Sequence, residues 1–241
     1  MYKLLNSIVV VLLMSSMTSC YTLTTHQTGR TLGENNDEFR YSFNLRSGPN
    51  ALDGEDATDE YYEGKIAISI AQIQYIRGFT DKLDIGFTVG IEKFGLLSKY
   101  QFYGDHESKL ALAAGVNLFS TFFNTEPILP PYPLFQLAYG AELPLYMSFH
   151  PTKHISLYSN PVISYNSPFM TYSDDERQLS FYYKGFYKGL SSGVQFTIPW
   201  LAPSENSTFS LSLEFNWGAP LNGNDYIFSG GFGVIFRGFN Y

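Results

Sequence analysis

From residue 37 onward, apolar and polar side chains alternate with a period of two, which places them on opposite faces of extended strands. The clearest stretch is 208–217: Phe209, Leu211, Leu213, Phe215 and Trp217 share one face, and Thr208, Ser210, Ser212, Glu214 and Asn216 share the other. In 83–92, Leu83, Ile85, Phe87, Val89 and Ile91 oppose Asp84, Gly86, Thr88, Gly90 and Glu92. In 38–46, Phe39, Tyr41, Phe43 and Leu45 oppose Glu38, Arg40, Ser42, Asn44 and Arg46, and a longer run extends from Phe135 to Phe149. Weaker alternation marks 66–77, 95–103, 109–120, 154–165, 189–200 and 227–238, which brings the expected strands to ten. In 66–77 the apolar phase slips after Ile70, which predicts a bulge near Ala71 and Gln72.

The connections alternate too. Short turns follow the even-numbered strands, at 78–82, 104–108, 150–153 and 201–207; connections after the odd ones are longer, at 48–65, 121–134, 166–188 and 218–226, with only the one near Lys93 and Phe94 brief. Short periplasmic turns and longer external loops characterise barrels of the bacterial outer membrane. The pattern predicts an all-β fold, an antiparallel up-and-down transmembrane barrel of about ten strands with both termini periplasmic.

Composition decides which face is outside. Of the 241 residues, 17% are aromatic and only 15% charged, against about 25% charged in soluble domains. A soluble periplasmic barrel binding an apolar ligand is the alternative with the same alternation, but its outward face needs Lys and Glu. Here the polar face is mainly Ser, Thr, Gly, Asn and Gln with charges of both signs, which suits a narrow, mostly filled lumen; Arg40, Arg46, Asp84, Glu92, Lys99, Glu142, Glu214 and Arg237 are expected there. The formal net charge of −7 argues against nucleic acid. Beyond the N-terminus no run approaches the roughly 20 apolar residues of a membrane helix.

Residues 1–19 read as a signal peptide, with Lys3 before the apolar run from Ile8 to Met14. Met17-Thr18-Ser19-Cys20 resembles the lipobox of bacterial lipoproteins, which implies a lipid on Cys20, the only cysteine of the chain. Residues 20–36 are then a lipidated cysteine and polar tether, with the lipid in the periplasmic leaflet, and 37–241 the barrel domain.

Gly78-Phe79-Thr80-Asp81-Lys82-Leu83-Asp84-Ile85-Gly86 resembles a turn that recurs between strands of bacterial outer-membrane barrel proteins, and Lys99-Tyr100-Gln101-Phe102 before Gly104-Asp105 is of the same kind. In such a turn Gly permits φ > 0, Asp caps the bend and charge stays in water. The chain ends in an aromatic residue, like the assembly signal of these barrels, although Phe228, Phe232, Val234 and Phe236 are out of phase with Tyr241. The resemblance implies outer-membrane lipid and the barrel-assembly machinery as partners, and an architecture more than an activity.

Candidate chemistry is sparse. Asp53, Glu55, Asp56 and Asp59, with Asp174, Asp175 and Glu176, can supply the carboxylate oxygens that Ca²⁺ prefers, but without the spacing of a calcium loop they read first as an anionic outer rim. His154-Ile155-Ser156 superficially resembles the His-x-Ser pair of outer-membrane lipid A deacylases, but its place at a periplasmic turn favours a solvated histidine. A protease of the omptin type needs an Asp–His pair at the outer rim, where no His falls. Phe169, Tyr172, Phe181, Tyr182, Tyr183, Phe186 and Tyr187 with Lys184 and Lys188 form an aromatic and basic cluster, read as an interfacial girdle before a glycan platform. No catalytic residue, cofactor or metal is expected. The expected role is structural, surface-interacting with glycan or small solute, or weakly permeable; an outer-membrane enzyme acting on lipid or peptide and a solute channel are the alternatives. Metabolic labelling with radioactive palmitate should mark the protein, and Cys20→Ala should remove the label.

Overall fold

The computed structural model describes residues 25–47, 67–90, 93–105, 108–124, 134–173, 185–204, 206–221 and 227–238. Ten strands follow one another: β1 (Asp37–Ser47), β2 (Ala67–Thr80), β3 (Leu83–Gly90), β4 (Lys93–Tyr103), β5 (Leu110–Asn124), β6 (Leu134–Thr152), β7 (Ile155–Ser173), β8 (Gly185–Thr197), β9 (Thr208–Pro220) and β10 (Ile227–Arg237). Each pairs antiparallel with its sequence neighbours, and β1 pairs with β10, from Glu38 opposite Arg237 to Ser47 opposite Phe228, so the barrel is closed. Closure leaves no edge strand with unpaired backbone groups.

The apolar faces point outward. Ile85 is 46% exposed, Leu213 51% and Phe215 75%, whereas Asp84 and Ser212 are 0% exposed and Glu214 1%. Arg40, Ser42, Asn44, Gln72, Gln74, Thr88, Lys99, Gln101, Asn160, Ser191 and Asn216 are likewise buried inside. A soluble barrel would invert this arrangement, because its apolar residues would line the interior. The alternative of a soluble apolar-ligand carrier therefore falls: lipid is the solvent that satisfies the outer face.

Several details differ from the sequence expectation, each for a physical reason. The expected strand 189–200 begins earlier, at Gly185, and stops at Thr197, where Pro199 cannot donate to the ladder; Pro199–Leu201 instead forms a 3-10 turn. β6 and β7 reach 19 residues each, well beyond the roughly 9–11 that a tilted strand needs to cross a bilayer. On the long-loop side the β6–β7 ladder continues to Leu134 opposite Ser173, beyond the last β7–β8 pair at Asn166 and Gly185. The bulge in β2 is real: Ser42 opposes Gln72 but Asn44 opposes Ser69, so two residues face Phe43 alone. Pro144 in β6 lacks an N–H, and the β5–β6 ladder breaks there, passing from Ala114–Leu145 to Asn117–Glu142.

Arginine facing lipid at mid-depth costs about 2–4 kcal/mol, falling to about 0–1 kcal/mol near the interface. Leu213→Arg should therefore destabilise the protein by the larger amount in urea titrations from lipid vesicles. Phe79→Arg, beside the short β2–β3 turn, should cost no more than the smaller one.

Candidate functional site

The lumen is occupied from mid-barrel to the short-turn end by the chain's own residues 25–33. This part of the expected tether lies inside the barrel: Thr25, His26, Gln27, Thr28, Thr31 and Leu32 are all buried. The segment has no regular structure, so its backbone groups need side-chain partners from the wall. Glu214 of β9 accepts the N–H groups of Thr25 (2.9 Å) and His26 (2.5 Å). Asn160 of β7 donates to Thr25 Oγ1 and to the Gln27 carbonyl, each at 2.8 Å. Ser148 of β6 accepts Gly29 N–H at 2.9 Å, and Gln101 of β4 accepts Thr31 N–H at 2.8 Å. Asp84 of β3 accepts Leu32 N–H at 2.9 Å, Lys99 of β4 donates to the Arg30 carbonyl at 2.7 Å, and Arg40 of β1 donates to the His26 carbonyl.

These contacts give the segment a direction. Thr25 sits level with the middle of β9, at Glu214, while Arg30 donates to the Ser108 carbonyl (2.5 Å) and Thr31 to the Asp81 carbonyl (2.7 Å), both at short turns. The chain therefore descends from mid-barrel to the short-turn end, then reverses over residues 33–36 to enter β1. Gly33 (φ 84°) and Asn35 (φ 62°) take left-handed conformations in that reversal. Asn35 N–H donates to the Gly78 carbonyl at 2.9 Å and Gly78 N–H to the Asn36 carbonyl at 2.8 Å, and a Cβ on Gly78 would fall 1.8 Å from the Gly33 carbonyl oxygen. Higher up, Gly233 leaves room for the His26 ring, whose Nδ1 lies 2.9 Å from Ser212 Oγ.

The charged wall residues form pairs as well as anchors. Lys99 meets Asp84 at 3.0 Å, Arg237 meets Glu38 at 2.8 Å, Arg40 also pairs with Glu38, and Lys93 meets Glu142 at 3.0 Å. Asn117 donates to the other Glu142 oxygen at 3.0 Å. Buried charge persists only when paired and hydrogen-bonded, and the segment's carbonyls and N–H groups complete the shells of Lys99, Asp84, Arg40 and Glu214. A cavity of about 20 Å³ remains beside Gln27, Gln74, Asn117, Lys93 and Glu142, room for about one water.

Of the residues expected in the lumen, Arg40, Asp84, Lys99 and Glu214 hold the segment, Glu142 lies above it, and Arg237 stays partly open at the short-turn rim; Glu92 lies outside the described residues, and Arg46 is described in backbone only. Cys20 and the acidic candidates Asp53, Glu55, Asp56, Asp59, Asp174, Asp175 and Glu176 also lie outside them. Among the described residues no group of His, Cys, Asp and Glu is placed to hold a metal.

The sequence pair His154 and Ser156 does not form: His154 is exposed in the turn, and Ser156 Oγ lies 2.7 Å from His150 Nδ1. His150 Nε2 lies 2.8 Å from Ser148 Oγ. Gly29 N–H already occupies that oxygen, so this chain of hydroxyls and imidazole fastens the lumenal segment. Sequence reasoning missed His150 because its partners lie on the same strand and across a hairpin, at spacings that carry no motif.

The geometry defines a class: a membrane-spanning up-and-down β-barrel with a self-occupied lumen. No protein-family model matches the chain, and no curated protein matches it. Among solved structures it is similar to Neisserial surface protein A (13% identity, 84% of this chain and 95% of that one, TM-score 0.35). It is also similar to Ail, the attachment invasion locus protein of Yersinia pestis (13% identity, 85% and 99%, TM-score 0.28). A third is an outer membrane channel from Pseudomonas putida (10% identity, 86% and 97%, TM-score 0.40). All three are bacterial outer-membrane barrels; at these scores the closed ladder and the outward apolar face, not the likeness, carry the class.

A hydrogen bond to a charged group contributes about 1.5–3 kcal/mol. Glu214→Ala should therefore speed hydrogen exchange at the Thr25 and His26 amides at least about tenfold, with the amides of β9 little changed. Exchange followed by mass spectrometry in detergent micelles checks this.

Proposed function

We propose that this chain is a lipoprotein of the bacterial outer membrane, closed to solutes by its own residues 25–33, which acts through the surface it presents outside. The observation that carries the reading is the lumenal segment: side chains that would face water in a channel are spent instead on its backbone. The extended β6–β7 hairpin supports a role beyond the membrane, since it raises a wall on the long-loop side. An outward role of this kind meets a surface glycan or small solute at the outer rim, with membrane lipid around the barrel and the assembly machinery as the partner that inserts it. The reading assigns no catalytic step and no cofactor.

Conductance tests it directly. Full-length protein in planar bilayers should give no current steps at any voltage. Glu214→Ala combined with Gln101→Ala removes anchors near both ends of the segment while leaving the Asp84–Lys99 pair intact, and should produce flickering openings. Steady open conductance from the unaltered protein would sink the proposal.

A further inference from the structure

The cavity beside Gln27 gathers hydrogen-bond acceptors that the protein leaves unsatisfied. Among the described residues, Gln27 Oε1 of the segment, Gln74 Oε1 of β2 and Asn117 Oδ1 of β5 are buried without a protein partner, and all three side chains line this space. Gln27 is 1% exposed and Gln74 7%, so bulk water does not reach them. A buried carbonyl oxygen with no donor keeps the full cost of leaving water. Turning the amide does not cure this at Asn117, because its Nδ2 already donates to Glu142 at 3.0 Å and fixes which way the oxygen faces.

What these oxygens take must be small, neutral and a donor. The space amounts to about 20 Å³, and roughly 10–15 Å³ suffices for one water. A cation finds no free carboxylate there: Glu142, the acid among the lining residues, is bonded to Lys93 and to Asn117. The Lys93 ammonium itself stands at the cavity, 4.5 Å over the Phe119 ring, and repels a second positive charge. It has N–H groups beyond the one given to Glu142, so a water there can accept as well as donate. Such a bridge reaches new strands. The bonds described above run from residues 25–32 to β1, β3, β4, β6, β7 and β9, whereas β2 and β5 face the segment across the cavity.

We propose that this cavity binds a single water molecule, which accepts from Lys93 and donates to Gln27 Oε1 and to an amide oxygen of Gln74 or Asn117. The water joins the segment to β2 and β5, and Gln27 is the side chain that positions the segment against them. Neither lipidation nor a role at the cell surface enters into it.

Water-to-protein nuclear Overhauser spectra of deuterated, amide-protonated protein in detergent micelles test this. A held water should give a cross-peak to the Asn117 side-chain amide, opposite in sign to proton exchange in the rotating frame. Gln27→Met, close in length but without the amide, should lose that cross-peak and speed exchange at the Thr25 and His26 amides severalfold. No cross-peak in the unaltered protein, or one unchanged in Gln27→Met, overturns the inference. So does slower exchange in the variant, the result for a dry cavity, since removing an acceptor that has no donor stabilises. Replacing sodium chloride with ammonium chloride should change nothing. Loss of the cross-peak in ammonium would make the occupant a cation and defeat the proposal.

Discussion

In a bilayer no water is available to the backbone, so every N–H and C=O at membrane depth must find its partner within the protein. Ten antiparallel strands satisfy this for the wall by closing β1 on β10. The same requirement governs the interior once a piece of irregular chain lies there. Residues 25–32 cannot join the ladder, and wall side chains take the place of neighbouring strands. Carboxylates of Glu214 and Asp84 receive N–H groups, while Lys99, Arg40 and Asn160 donate to carbonyls. Barrel and lumenal segment are two answers to one demand.

The charges follow from it. Among the described wall residues of the lumen Glu38, Asp84, Glu142 and Glu214 stand against Arg40, Lys93, Lys99 and Arg237, and the segment adds Arg30. An aqueous channel tolerates unpaired lumenal charge because water screens it. A filled lumen does not, and each of these groups has a charged partner or a backbone dipole. The pairs alone are weak evidence for stability, since desolvation offsets much of their attraction. Their value here is in placing the groups that hold the segment: Asp84 and Lys99 pair with each other and each also bonds its backbone.

The two ends of the barrel differ. Among the described residues β6 and β7 are the longest strands, and on the long-loop side their ladder runs on past Gly185, where β8 begins. The short-turn end carries the tight crossing of Gly33 and Gly78, which ties the lumenal segment to the end of β2.

Architecture was legible in the sequence because a strand's signal is local. Phe209 to Trp217 alternate against Thr208 to Asn216 whatever they pair with, and scarce charge on both faces implies lipid on one of them. The inward positions of Arg40, Asp84, Lys99 and Glu214 followed from the same parity. What occupied the lumen was not legible. Residues 25–32 show no periodicity, and the partner of Thr25 N–H lies 189 residues away at Glu214. Their one local hint is a run of Thr, Gln and Gly with Arg30 as its single formal charge, poor in the charge that keeps a free tether in water. His150 was passed over for a similar reason, since its bond to Ser156 exists only because the β6–β7 turn folds one strand onto the other. Short-range patterning determined strands, faces and membrane; long-range hydrogen bonding, available only once the barrel closes, decided that the chain fills its own interior.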